Sequence, residues 1–375
     1  MNKKNCLILL IFLSILMMSC IQEAPLNPEA DILIFSYPQQ EMRHVSEIYN
    51  DQIVVYPNAG VDINKLAYTI TVTSGATNKA IPKATVNDTV FYIQVTSEDK
   101  QHSKTYSIIQ VGDTFPPVFT FDQWTRYSAN FLYENPKDKG FQWFTSNNGA
   151  ATAFSNKIRP ADEYPVRQVS GRGGTGSAVA MVTMQGPGRV LGIKYIPCLA
   201  GSTYLGGFNL LNGLSDPLSS TLFGLPFNNG KPEKLTGYYQ YTEGKGPYIS
   251  VKSTHESLIE PDRKDSCNIY AILFESDANV PFLNGNTIAS SPNIVARAQI
   301  SSAEQCPTSG TDFHRFEAAF VYRKPFEWNK LRNNQYKITI VFSSAVRGDY
   351  YEGRIGNTLT VDDVEVIYQQ ATDME

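Results

Sequence analysis

Five carboxylates are the residues of this chain whose type most directly suggests catalysis. Four of them cluster near the C-terminus and the fifth lies in a predicted strand: Asp349, Glu352, Asp362, Asp363 and Glu317. Two carboxyl groups that flank a glycosidic bond can hydrolyse it when roughly 5–9 Å separates them. Sequence spacing does not fix such a separation, and acids at strand ends commonly cap backbone groups or face solvent. Glycoside hydrolysis is therefore an alternative to a non-catalytic role.

Aromatic side chains are the second candidate set, because a ring can stack on the apolar face of a sugar while polar neighbours bind its hydroxyls. The candidates are Trp124, Trp143, Trp328 and the run at 238–241. The segment GFQWFTSNNG is typical of a loop, so we expect Trp143 to be exposed and Trp124, beside a predicted first strand, to be buried. Strand alternation places Tyr239 and Tyr241 on one face. We predict that Trp143, Tyr239 and Tyr241 contact a glycan.

The glycine-rich segment 171–176 (GRGGTG) matches the letters of a dinucleotide-binding loop. Such a site also needs a following helix and an acidic residue about 20 positions later. Residues 177–184 instead alternate small and apolar side chains, as a strand does. The pattern predicts a tight loop that enters a strand, and no nucleotide cofactor.

The N-terminus has the features of a bacterial lipoprotein signal. Lys3 and Lys4 precede an apolar run at 6–18, which is too short for the roughly 20 residues of a membrane-spanning helix. A small residue and then Cys20 follow where cleavage is expected. We predict a signal peptide at 1–19 and acylation of Cys20; an ordinary signal peptide with an incidental cysteine is the alternative.

Acylation of Cys20 would attach the chain to the bacterial outer membrane through lipid alone. Residues 20–30 contain two prolines and no periodicity, so they predict a tether. The pair Gln22-Glu23 partly resembles an acidic export tag, which favours exposure at the cell surface.

Composition indicates an all-β protein. The net charge is −4, only 18% of residues are charged and no block of basic residues occurs, which argues against nucleic acid or anionic lipid as a partner. The 21 Tyr and 20 Phe favour strands, and the 26 Gly and 21 Pro favour turns.

Three cysteines would remain in the mature chain besides Cys20: Cys198, Cys267 and Cys306. Their spacing matches no zinc pattern, and the four histidines are scattered. We expect mostly buried thiols; a disulfide between two of them is the alternative.

The strand pattern divides the chain into two parts. Short β-branched and aromatic runs fill 31–112 and predict a β-sandwich. The proline-containing segment 113–117 predicts a linker. Strand patterns resume in 118–375, where about eight antiparallel strands on one core would form a jelly roll.

Both parts resemble known families. Segment 61–66 and the closing run at 95–111 resemble immunoglobulin-like modules of Bacteroidetes surface lipoproteins. In the second part the resemblance rests on FDQW (121–124), GFQWFTSNNG (140–149), GRGGTGSAVAMVT (171–183), LAGSTYLGGF (199–208), FGLPFNNGKPEKLTGYYQYTEG (223–244), DSCNIYAILFE (265–275) and the segment at 338–368. This part resembles the putative carbohydrate metabolism domain of Bacteroidetes lipoproteins. The resemblance implies a jelly roll like those of carbohydrate-binding modules, and it brings no catalytic residues.

The terminal strand TVDDVEVIYQQ also resembles the last strand of calcium-containing carbohydrate-binding jelly rolls. Alternation places Asp362 at the end of a face formed by Val364, Val366 and Tyr368. The resemblance implies that Asp362 and an acid of the first strand, here Asp122, hold a structural calcium ion. The alternative is that Asp362 accepts hydrogen bonds from backbone amides.

These observations predict a membrane-tethered glycan-binding protein of all-β fold, with an immunoglobulin-like β-sandwich followed by a jelly roll. A glycoside hydrolase and an adhesin that binds protein through exposed sheet edges are the alternatives.

Overall fold

The computed structural model describes residues 25–49, 51–58, 61–81, 91–110, 118–126, 134–138, 141–154, 159–190, 194–209, 216–253 and 255–370. The predicted signal peptide, Cys20 and the linker at 113–117 lie outside the described residues.

The first part of the chain is formed by strands whose apolar residues meet in one core. They are β1 (Ile32–Ser36), β2 (Met42–Tyr49), β3 (Gln52–Pro57), β4 (Thr69–Val72), β5 (Thr77–Ile81), β6 (Phe91–Thr96) and β7 (Ser103–Gln110). One sheet pairs β1 with β4, and the other has the order β2-β3-β7-β6-β5, in which β3 and β7 are parallel. The immunoglobulin-like assignment of this part stays a prediction.

The second part contains the remaining described strands and two short helices. The strands are β8 (Gln123–Arg126), β9 (Glu134–Asp138), β10 (Phe141–Thr145), β11 (Val166–Ser170), β12 (Ser177–Val182), β13 (Met184–Val190), β14 (Lys194–Leu199), β15 (Ser202–Phe208), β16 (Thr221–Phe223), β17 (Leu225–Pro226), β18 (Lys231–Thr242), β19 (Tyr248–Ser253), β20 (Glu256–Glu260), β21 (Asn268–Glu275), β22 (Ile294–Gln299), β23 (His314–Ala319), β24 (Val321–Tyr322), β25 (Tyr336–Ser343), β26 (Gly353–Arg354) and β27 (Thr358–Gln369). The helices are α1 (Asn147–Ala153) and α2 (Trp328–Arg332). Neither described helix has the length and apolar composition needed to cross a membrane.

Two large sheets build this second part. One has the order β24-β22-β21-β25-β15-β10-β9-β8, with β16 and β17 added beside it, and the other has the order β11-β12-β27-β18-β23. Side chains from both sheets form a common core that includes Trp143, Phe342, Leu235 and Val361. The prediction of an all-β sandwich fold is confirmed.

The central strand β25 is buried on both faces, which explains its nearly continuous apolar sequence YKITIVFS. Ile338, Ile340 and Phe342 contact the core between the two sheets. Val341 points the opposite way and joins a separate cluster with Phe274.

Strand β3 is also buried along its whole length, because it lies between the two parts of the chain. Ile53 and Val55 belong to the core of the first part. Val54 and Tyr56, which alternate with them, belong to the core of the second. The two parts therefore share an apolar interface.

Candidate functional site

A surface pocket with a volume of about 300 Å³ lies at one end of the C-terminal sandwich. The described residues that line it come from the turn between β17 and β18, from α2 and its C-terminal turn, and from the end of β27. They are Asn228, Asn229, Trp328, Leu331, Arg332, Asn334 and Gln370.

Trp328 is half-buried and is held by neighbouring aromatic rings. Its ring meets Phe326 edge-on at a centroid distance of 5.0 Å, and Phe326 stacks on Tyr336 at 5.1 Å. The Tyr336 hydroxyl accepts a hydrogen bond from the Glu327 backbone N–H at 3.0 Å. These contacts fix the orientation of the indole before any ligand arrives.

Ion pairs anchor α2 to the ten-stranded sheet. Lys330 lies 2.9 Å from Glu275 of β21 and 2.6 Å from Glu327. Leu331, on the next position, is buried in the core. A helix of this length is not stable alone, so these tertiary contacts position Trp328 and Arg332.

Amide groups and one guanidinium form the polar part of the lining. The Asn229 amide donates to the Tyr368 hydroxyl at 3.0 Å, and Arg332 donates to Asn329 Oδ1 at 2.6 Å. The side-chain amides of Asn228 and Asn334 make no hydrogen bond to another described residue, so both are available to a ligand.

An aromatic ring beside several amides is suited to binding a sugar, since the ring supplies apolar contact and the amides both donate and accept hydrogen bonds. Among the described lining residues none carries a carboxylate, whereas glycoside hydrolysis ordinarily needs two.

The glycine-rich loop at 171–176 forms a second polar feature, on the five-stranded sheet β11-β12-β27-β18-β23 of the second part. It is followed by β12, so the prediction that the loop enters a strand is confirmed. Asp122 Oδ1 accepts the Ser177 backbone N–H at 2.8 Å, and Asp362 Oδ2 accepts that of Arg172 at 2.7 Å. A Cβ atom on Gly176 would lie 2.2 Å from Asp122 Oδ1, so the contact requires glycine.

A β-bulge in β27 changes the predicted placement of Asp362. Thr236 pairs with Glu365 but Tyr238 pairs with Asp362, which leaves one extra residue in β27, and Asp363 has a φ of +48°. Val361 and Val364 consequently both face the core. The prediction that Asp362 shares the face of Val364 is wrong: it points to the opposite face, where the loop buries it.

Asp122 and Asp362 lie close enough for their charges to interact. Burial, with contributions from the Asp363 and Asp122 charges, raises the pKa of Asp362 to about 6. Both Asp362 oxygens accept backbone N–H groups, from Arg172 and Asp363. This is the hydrogen-bonded alternative that the sequence left open.

The predicted calcium site would have two carboxylate ligands here, Asp122 and Asp362. Calcium takes six to eight oxygens, so backbone carbonyls and water would have to supply the others. No cluster of three or more acidic, histidine or cysteine side chains suited to a metal occurs among the described residues. Calcium at Asp122 and Asp362 stays a prediction.

The other carboxylates considered for hydrolysis mostly have basic partners. The ion pairs are Glu317 with Lys234, Asp363 with Arg172, and Glu352 with Arg347. Asp349 is exposed. None of the five lines the described part of the pocket.

The prediction that three aromatic residues contact a glycan is wrong, because all three are buried. Trp143 is 0% exposed, Tyr239 4% and Tyr241 0%. The segment around Trp143 is strand β10, which directs the indole against Phe119 and Phe121 in the core. A glycan cannot reach these rings.

Alternation in β18 is as predicted, but the inward face is the one that carries Tyr239 and Tyr241. Tyr238 lies on the outer face, with the Arg172 guanidinium 4.0 Å from its ring centroid. Trp124 is only half-buried, and its indole N–H donates to the Phe121 carbonyl at 2.7 Å.

The three cysteines among the described residues are free thiols, and no two of them form a disulfide. Cys198 and Cys267 are buried, as expected, whereas Cys306 is exposed. Burial raises the pKa of the Cys198 thiol to about 12.

Comparisons with known proteins connect the second part of the chain to carbohydrates. Residues 120–367 match the family model described as "putative carbohydrate metabolism domain". Among curated proteins no match is found.

The solved structures similar to this chain include two that are described as putative glycoside hydrolases. One, from Bacteroides thetaiotaomicron, is 30% identical and covers 93% of this chain and 99% of its own length, with a TM-score of 0.76. The other, from Bacteroides vulgatus, is 30% identical and covers 68% of this chain and 99% of its own, with a TM-score of 0.58.

Proposed function

The chain belongs to the putative carbohydrate metabolism domain family, and from this premise we propose that it is a glycan-binding protein whose binding site is the pocket beside Trp328. The single observation that carries the proposal is the composition of the pocket. A fixed, half-buried indole adjoins amide groups, and no carboxylate occurs among the described lining residues.

The descriptions of the two similar structures make hydrolysis the second candidate function. Binding is favoured here because none of the five acids that the sequence suggested is among the described lining residues, and four of them form ion pairs or accept backbone hydrogen bonds. An assay of released reducing ends separates the two: binding without turnover favours the first, and new reducing ends favour the second.

We further propose that Cys20 carries lipid and that the chain works at the bacterial outer membrane. The support is the sequence pattern of Lys3, Lys4, the apolar run and Cys20. A glycan captured there would be concentrated at the cell envelope.

A glycan array probed with the full chain tests the main proposal. We expect binding that Trp328→Ala weakens at least about tenfold, since a central indole is commonly worth 2 kcal/mol or more. Tyr350→Ala is the control, because Tyr350 is an exposed aromatic that does not line the pocket. Binding that both variants retain equally would place the glycan elsewhere.

A further inference from the structure

Arg332 is the one charged side chain among the described residues that line the pocket. Its guanidinium donates to Asn329 Oδ1 at 2.6 Å, which limits its orientations. The side chain is exposed, and no carboxylate of the described residues pairs with it. Among the described residues, the pocket therefore contains a positive charge that no carboxylate pairs with, and the contact to Asn329 restricts its position.

The acidic residues near α2 form ion pairs with lysines and not with Arg332. Glu327 pairs with Lys330 at 2.6 Å. Glu275 pairs with Lys330 at 2.9 Å and with Lys324 at 3.7 Å. Among these described residues, the two acids are balanced by the two lysines, so Arg332 adds one positive charge.

We propose that the ligand of this pocket is an anionic saccharide whose acidic group binds Arg332 while its ring packs on Trp328. This inference rests on the proposed function and adds the class of glycan. A carboxylate, as in a uronic acid, and a sulfate ester offer the same chemistry, two oxygens in the plane of the guanidinium fork. The amides of Asn228 and Asn334 then bind hydroxyl groups.

The arrangement accounts for specificity as well as affinity. A neutral hydroxyl that binds an exposed guanidinium replaces a water molecule with a similar hydrogen bond, so the net gain in binding energy is small. A charge-assisted bidentate contact with an anionic group is stronger than this hydrogen bond. Since the site is open to solvent, the attraction is screened by salt. Affinity for the anionic ligand should fall as ionic strength rises.

The test uses the full chain with paired probes: galacturonic acid oligosaccharides and their carboxyl-reduced forms, and a sulfated galactose oligosaccharide and its desulfated form. We expect at least one anionic probe to bind more tightly than its neutral partner. Arg332→Gln should reduce that affinity about tenfold and reduce the affinity for the neutral partner by a smaller factor, so that the preference for the anionic probe falls. Arg332→Lys, which keeps the charge and loses the fork, should give an intermediate loss. The two anionic pairs show whether carboxylate or sulfate is preferred.

Arg189→Gln is the matched control, since Arg189 is an exposed arginine on β13, which pairs with β14 in a separate sheet, and it does not line the described part of the pocket. β13 follows β12, whose Val182 pairs with Thr358 at the start of β27, whereas the pocket residue Gln370 follows its end. Equal binding of charged and neutral probes, with Arg332→Gln silent and Trp328→Ala impaired, would overturn the anionic ligand and retain the proposed function. If none of these probes binds, the proposal of an anionic ligand is likewise overturned. If Trp328→Ala leaves all glycan binding intact, the proposed function fails as well.

Discussion

Lys337 and Glu47 form an ion pair that joins the two parts of the chain, with both side chains buried at 0% and 5% exposure. The Tyr56 hydroxyl donates to the same carboxylate, and the Lys337 ammonium lies 4.5 Å from the centre of the Phe282 ring. Val54 and Tyr56 of the first part also pack in the core of the second part. The ion pair and these apolar contacts together hold the two parts against each other.

Replacing Lys337 with methionine should destabilise the protein by about 3–5 kcal/mol, because Glu47 is left as an uncompensated buried charge. The measurement is the free energy of unfolding from urea titration. The double variant Lys337→Met, Glu47→Leu should recover much of the loss. Lys252→Met is the control, since its pair with Glu256 is exposed and should be worth less than about 1 kcal/mol. Equal effects of the two single lysine variants would contradict this account.

Trp143→Ala should cost about 3–5 kcal/mol of stability because it leaves a large cavity beside Phe121 and Phe342. Glycan affinity should not change at temperatures where the variant is folded, since the ring is buried. Trp143→Phe should lose less, as it fills more of the space. Urea unfolding and a glycan titration on the same samples check both statements; lost affinity without lost stability would reinstate Trp143 as a ligand contact.

The sequence predicted which residues form strands, but it did not predict which face of each strand is buried. Strand patterns predicted the all-β sandwich because alternation and β-branched residues are local signals. The same alternation in β18 showed that Tyr239 and Tyr241 share a face, but which face is buried depends on the opposite sheet. The bulge at Asp363 shifted the alternation of β27 by one residue, and no local signal marked it.

The pocket was harder to predict than the strands. Trp328 was one of several aromatic candidates, but its partners are asparagines of a turn, an arginine of a five-residue helix and Gln370 after the last strand. These residues are far apart in sequence and have no common spacing. Only the tertiary fold brings them together.

If Cys20 is acylated, the membrane fraction of a bacterial host should contain protein labelled by a fatty-acid analogue, and Cys20→Ala should abolish the label. The expectation follows from the lipoprotein pattern of residues 1–20. Cys306→Ala is the control, because Cys306 is an exposed thiol outside that pattern. A label that persists in Cys20→Ala would refute the anchor, and its loss in Cys306→Ala would show that Cys306 carries the label instead.

Asp362 should make stability fall as the pH rises from about 4 to about 6 in the presence of a chelator. Its pKa is raised to about 6 by burial, while the unfolded chain releases the proton near pH 4. The native state thus binds more protons between these values, and the free energy of unfolding decreases with pH. Asp362→Asn does not titrate, so its stability relative to the native protein should increase by at most about 3 kcal/mol across this range. A pH-independent difference in urea unfolding would show that Asp362 is already ionised at pH 4.

Calcium provides the last test, since we propose from the sequence that it joins Asp122 and Asp362. Calcium should raise the melting temperature by binding the native state, and Asp362→Ala should remove that response. Trp328→Ala should retain it, because Trp328 lines a pocket that contains neither acid. Calcium also competes with protons for carboxylates, so saturating calcium should abolish or reverse the decrease in stability between pH 4 and 6. If neither calcium nor chelator changes the melting temperature or this pH dependence, the backbone hydrogen bonds from Arg172 and Asp363 account for the position of Asp362 without a metal.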